Sequence, residues 1–92
     1  MNERIAKMKA LLAVLEPMSL DIIDESHKHA GHAGAREGGG HYVMNIVSAQ
    51  FVGRNTVARH RMIYSALGEM MKREIHALTL QAHAPNELEG HL

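Results

Sequence analysis

"HYVMNIVSAQFVGRNTVARHRMIYSAL", residues 41 to 67, changes its hydrophobic period part-way along, and that change sets the fold class. Tyr42, Met44 and Ile46 alternate with Val43, Asn45 and Val47, the period of two that marks a strand with one buried face. The strand reading extends through "SAQF" to Phe51. "VGRNT" is a turn, and Asn55 or Thr56 suits a helix N-cap. Beyond it the period lengthens: Ile63, Leu67, Met70 and Met71 mark the buried stripe of a helical region over 55–74. Gly68 sits inside that region, where glycine costs about 1 kcal/mol relative to alanine, so it marks a point where one helix can break into two.

Upstream, Ile5, Met8, Leu12 and Leu15 step by three and four, which predicts a helix within residues 1–16. Asn2 is a plausible cap and Glu3 suits the positive end of the helix dipole. Pro17 stops the helix at or before Glu16. "MSLDIIDES" (18–26) alternates as a strand and pairs antiparallel with the strand after it. Residues 18–48 thus form a β-hairpin around a long Gly- and His-rich loop, 27–40. Downstream, "IHALTLQAH" (75–83) is a third strand with His76, Leu78, Leu80 and Ala82 on one face. Residues 84–92 are a tail with one helical turn after Pro85. The order α-β-β-α-(α)-β predicts an α+β two-layer sandwich, a three-stranded sheet with helices on one face, as a single domain.

Composition narrows the function. The chain has 92 residues, 46% hydrophobic but only 3% aromatic, with seven methionines and no cysteine. The core is therefore aliphatic, with methionine filling gaps. No apolar run approaches a membrane span, and the N-terminus lacks the apolar segment of a signal peptide. The absence of cysteine excludes a disulfide framework and fits a reducing cytoplasm. A formal net charge of zero argues against strong non-specific DNA binding. Nothing resembles a nucleophile–base pair or a paired-carboxylate centre, so the chain does not read as an enzyme.

Two groups of residues remain. Four of the eight histidines, His27, His29, His32 and His41, fall within "ESHKHAGHAGAREGGGHYVMNIV" (25–47). His29 and His32 are three apart, within reach of one metal if the chain turns, and neutral imidazole is a common ligand of zinc and iron. The competing reading is a polar loop with solvated histidines. His76 is either a core histidine satisfied by a carbonyl or a ligand held on a rigid strand. "RHR" (59–61) with Arg54, Lys72 and Arg73 suggests a basic patch for phosphate, set against an ordinary solvated helix face. Gly31-His32-Ala33-Gly34 is a GxxG, but it joins two strands rather than two helices and carries no weight.

"DESHKH" (24–29), "GHYVMNIVSAQFVGR" (40–54), "RHRMIYSAL" (59–67) and "IHALTLQAHAP" (75–85) together resemble the BolA family over about residues 3–88. The resemblance implies a fold similar to class II KH domains. It also implies two functions. One is partnership with a monothiol glutaredoxin, with a shared [2Fe-2S] cluster and a role in iron homeostasis or iron–sulfur delivery. The other is DNA binding and transcriptional regulation tied to stress response and cell morphology; the basic patch read above makes Arg54, Arg59, His60 and Arg61 the candidate contact residues, and His60 belongs to the family signature. His76 matches the family's C-terminal cluster ligand. The loop ligand varies between His and Cys in the family; by its distance from "DES" it falls on His29, with His32 second. The isolated chain is then expected to be a colourless monomer, since two histidines hold a cluster weakly without a partner's thiolates.

Overall fold

The computed structural model describes residues 3–25 and 40–89, so the suggested cap Asn2 lies outside the described residues. Helix α1 (Glu3–Leu12) tightens into a 3-10 turn (Ala13–Leu15). It ends at Glu16, whose φ of 48° lies in the left-handed region, immediately before Pro17. Then follow β1 (Ser19–Asp24), β2 (Gly40–Val47), a 3-10 turn (Ala49–Phe51), α2 (Thr56–Leu67), α3 (Met70–Arg73), β3 (Ile75–His83) and α4 (Pro85–Glu89).

Gly68 does break the helical region. It takes a φ of 55° and donates its N–H to the Tyr64 carbonyl at 2.9 Å, closing α2 where a side chain would be strained. At the other end Asn55 is the cap, its Oδ1 accepting from Ala58 N–H at 2.9 Å. The strand reading of 41–51 runs too far. β2 stops at Val47 because Ser48 turns the chain. Its Oγ accepts from Gln50 N–H at 3.1 Å and donates to the Leu15 carbonyl at 2.6 Å. A serine that bonds locally in this way competes with the strand ladder.

The sheet has the order β1-β2-β3. β1 and β2 are antiparallel, from Ser19 opposite Val47 to Asp24 opposite Tyr42. β2 and β3 are parallel, so the chain between them must cross over, and α2 and α3 form that crossover. The inner face presents Ile22, Tyr42, Met44 and Ile46. Against it pack Met8 and Leu12 of α1, Phe51, and Ile63 and Leu67 of α2, all buried. These are the alternating and three–four-spaced positions of the sequence, so burial of one face of each element explains the two layers.

One irregularity matters for function. Gly40 pairs with Ile75, but the next residue, His41, pairs with Ala77. His76 is therefore the extra residue of a β-bulge. Ile75 is buried, His76 is exposed, and Leu78 and Leu80 are half-buried on the helix side. The sequence places His76 in phase with Leu78 and Leu80. The bulge breaks that phase, and the core-histidine alternative falls with it: an exposed imidazole fills no core position. Re-aiming one side chain is a recurrent use of bulges.

Candidate functional site

Because β2 and β3 run parallel, their first residues lie at the same end of the sheet. Gly40 N–H donates to the Glu74 carbonyl at 3.1 Å and fixes the two strand starts side by side. The next residues, His41 and His76, then meet: their ring centroids are 5.1 Å apart, with the planes tilted by 37°. His41 is half-buried and His76 exposed. Two imidazoles bound to one tetrahedral ion at metal–nitrogen distances of about 2 Å have centroids roughly 5 Å apart, so the spacing of this pair is compatible with a shared metal.

The same corner anchors the Gly/His-rich segment. β1 ends at Asp24 opposite Tyr42, and Glu25 N–H donates to the His41 carbonyl at 2.8 Å. The chain thus leaves for residues 26–39 and returns from them beside the histidine pair. His29 and His32, the loop ligands named from sequence, lie outside the described residues, as does His27. The sequence reading counts His41 with the loop and gives it no role. Its signal was the alternation of β2, which puts it on the outer face with Val43 and Asn45. The neighbour that makes it interesting is set by the β2–β3 register, which a single sequence does not reveal.

Among the described residues no three or more His, Asp or Glu side chains converge as a metal cage. With no cysteine in the chain, the site offers imidazoles, and carboxylates nearby, but no thiolate. That set fits the histidine half of a shared iron–sulfur centre and cannot supply a thiolate half.

The second group of residues lies at the far end of β3. His83 ends the strand, seven residues beyond His76, roughly 23 Å along an extended chain. There an open cleft of about 500 Å³ is lined by residues that include Arg54, Thr56, Arg59, His60, His83 and Glu87. The structure gives Arg59 a different employment from the basic patch. It is buried, and its guanidinium grips Glu87 with two bonds, Nη1 to Oε1 at 2.7 Å and Nη2 to Oε2 at 2.6 Å. Nη1 also donates to the Ala82 carbonyl at 3.1 Å, and the guanidinium lies 5.9 Å from the centroid of the Phe51 ring.

Glu87 is the third residue of α4 and reaches back to accept from Ala84 N–H at 3.1 Å, half of a capping box in which Pro85 takes the first helical position. The Arg59 hydrogen bonds, helped by the Ala84 N–H, hold the Glu87 carboxyl down to about 2. Arg59 is thus a clasp between α2, β3 and α4, with its charge neutralised. Arg54 and Arg61 remain exposed, and His60 is half-buried with its ring edge-on to Tyr64 at 6.3 Å.

A mixed three-stranded sheet covered on one face by helices in this order is an α+β fold of the class II KH-like type. The chain belongs to the BolA family: the family model, described as BolA-like protein, matches residues 11–87. It is 38% identical over 89 residues to the DNA-binding transcriptional regulator BolA of Escherichia coli, covering 97% of this chain and 80% of that one. It is 40% identical over 79 residues to SufE-like protein 1, chloroplastic/mitochondrial, of Arabidopsis thaliana, which is 80% of this chain but only 21% of that relative's length. The structure resembles the BolA domain of SufE1 from Arabidopsis thaliana with a TM-score of 0.81 at 38% identity, covering 95% of this chain and 98% of that one. The family is one of regulatory and interaction proteins, not of enzymes. No helix among the described residues is long and apolar enough to cross a membrane.

Proposed function

We propose that this chain is an interaction module that docks a monothiol glutaredoxin and contributes histidines to a bridging [2Fe-2S] cluster, in iron homeostasis or cluster delivery in a reducing cytoplasm. The observation that carries this reading is the His41–His76 pair, 5.1 Å apart on a bulged strand, at the corner where the Gly/His-rich segment begins and ends. His76 is the ligand on the rigid element; its strand is paired, so little ordering entropy is lost on ligation. The second imidazole comes from His41, or from His29 or His32. His29 is four residues from Glu25, a reach of at most roughly 14 Å, so the chain length allows it to arrive at this corner.

Replacing two thiolates by two imidazoles raises the reduction potential of a [2Fe-2S] centre, because neutral ligands stabilise the reduced form. The protein's own part is to present the imidazoles, keep one of them on a fixed backbone, and leave the iron's remaining ligands to the partner's sulfur. The test is co-expression with a monothiol glutaredoxin, followed by visible absorption and circular dichroism of the purified complex. A coloured complex is expected from a chain that is colourless and monomeric alone, and His76→Ala should remove the signal while leaving the domain folded. A His76→Ala complex with an unchanged spectrum would refute the assignment.

A second reading, DNA-binding regulation, rests on the exposed Arg54 and Arg61 flanking the N-terminal half of α2, and on the function that the Escherichia coli relative's name carries. Arg54, His60 and Arg61 are its contact residues. Arg59, engaged by Glu87, contributes by holding α2 in place.

A further inference from the structure

The cleft at the far end of β3 shares Arg54 and His60 with the DNA-binding reading but is used as a pocket by neither reading, and a phosphate site there does not rest on that one. We propose that it is a binding site for a phosphate group, seated at the N-terminus of α2 and held by Arg54, Thr56, His60 and His83. The first observation is the cavity itself: about 500 Å³ falls within the usual range of small-ligand sites, roughly 300–1,000 Å³. The second is its charge. Glu87 is the acidic residue lining the cleft, and its carboxylate is already doubly bonded to Arg59 and capped by Ala84 N–H. What is left uncompensated is positive. Arg54 is exposed, with no acidic partner among the described residues. Two imidazoles, His60 and His83, share the lining.

The third observation is the supply of donors. α2 is twelve residues long, and its Asn55 cap satisfies Ala58 N–H. Thr56, the first residue of the helix, lines the cleft; it carries a hydroxyl, and no intrahelical carbonyl can reach its N–H. Arg59 Nε is the one buried side-chain donor without an acceptor among the described residues, and it too belongs to a lining residue. A helix end, a guanidinium, a hydroxyl and two imidazoles around one cleft suit an anion with three or four oxygens pointing in different directions. A planar carboxylate would use fewer of them. A free phosphomonoester and the phosphodiester backbone of a nucleic acid share this chemistry. The site stands whether or not the cluster reading does, since the two lie at opposite ends of β3.

The experiment is a proton–nitrogen NMR titration of the full chain at constant ionic strength, with inorganic phosphate, a nucleoside 5′-monophosphate, and a single-stranded oligonucleotide without terminal phosphate. Inorganic phosphate is expected to shift the amide signals of Thr56, Val57 and His83 in a saturable way, and Arg54→Gln to weaken the effect about tenfold. Arg54 is exposed, so that variant should keep its fold, which the rest of the spectrum reports. Saturation by the monophosphate alone assigns the site to a free phosphomonoester; saturation of the same amides by the oligonucleotide assigns it to the nucleic-acid backbone. Shifts that are linear, scattered over the surface, or unchanged in Arg54→Gln would overturn the proposal.

Discussion

Gly40→Ala joins the fold to the candidate site in one measurable step. Gly40 is buried at the start of β2, opposite Ile75 and one residue before His41. A Cβ built there would lie 2.6 Å from Tyr42 Cε2, 2.8 Å from Cζ and 2.7 Å from the phenol oxygen. Ordinary packing distances begin near 3.5 Å, so the ring must retreat by nearly an ångström. The ring cannot swing into solvent without loss, because Tyr42 is only 2% exposed and packs in the core. Backbone strain does not enter, since Gly40 is not among the glycines with positive φ.

Overpacking of this kind costs roughly 1–3 kcal/mol, and in a domain this size about 2 kcal/mol lowers Tm by roughly 8–16 °C. Urea titration should show a lower midpoint at an unchanged m-value. The double-mutant cycle with Tyr42→Leu isolates the cause: without the ring, Gly40→Ala should cost almost nothing, and the coupling should recover most of the single-mutant loss. Any of the strain that the ring does not absorb falls on the backbone that sets His41 against His76, and to that extent the visible spectrum of the proposed glutaredoxin complex should change. A Gly40→Ala protein as stable as wild type, or a cycle with no coupling, would show that the ring does not lie over Gly40.

Three further outcomes are expected. If His41 is the second ligand, His41→Ala should alter the complex spectrum more than His29→Ala or His32→Ala does, since the latter two can stand in for each other; equal effects from all three would demote the pair seen here. Glu87 is depressed from 4.5 to about 2, so its contribution to stability is present above about pH 4.5 and lost as pH falls toward 2. Melting curves of wild type and Glu87→Gln should therefore differ by a constant amount above pH 5 and converge below it, whereas parallel curves down to pH 2 would contradict the ion pair. Finally, Arg61→Ala should leave Tm nearly unchanged and lower the salt slope of any DNA binding by roughly one for each phosphate that the arginine neutralises, measured by fluorescence anisotropy.

The contrast between Arg59 and its neighbours shows what a single sequence can convey. Local period is written in the residues themselves: Tyr42, Met44 and Ile46 declare their face, and Ile63 and Leu67 declare theirs. Gly68 announced its break for the same reason. In "RHR", however, the two arginines look equivalent, and only the approach of α4 from elsewhere in the chain makes one of them a buried clasp. His76 failed in the same way. Its phase was read by counting from Leu78, but one inserted residue against β2 reverses the count, and an insertion exists only relative to a partner strand. The meeting of His41 and His76 is longer in range still, so the chain could name His76 as a candidate without naming its neighbour.

The crossover connection has a kinetic consequence. β1 and β2 can pair as soon as both have been synthesised, but β3 can join β2 only after the intervening helices have been made and docked. Loop-closure entropy must be met before that non-local pairing is rewarded. The two imidazoles therefore meet only once β3 has paired with β2. Amide exchange protection at Ala77 and Leu78 should track the global unfolding free energy rather than local fraying. Under the proposed cluster-ligating role, a chain in which β3 has not yet joined β2 has no histidine pair to offer iron.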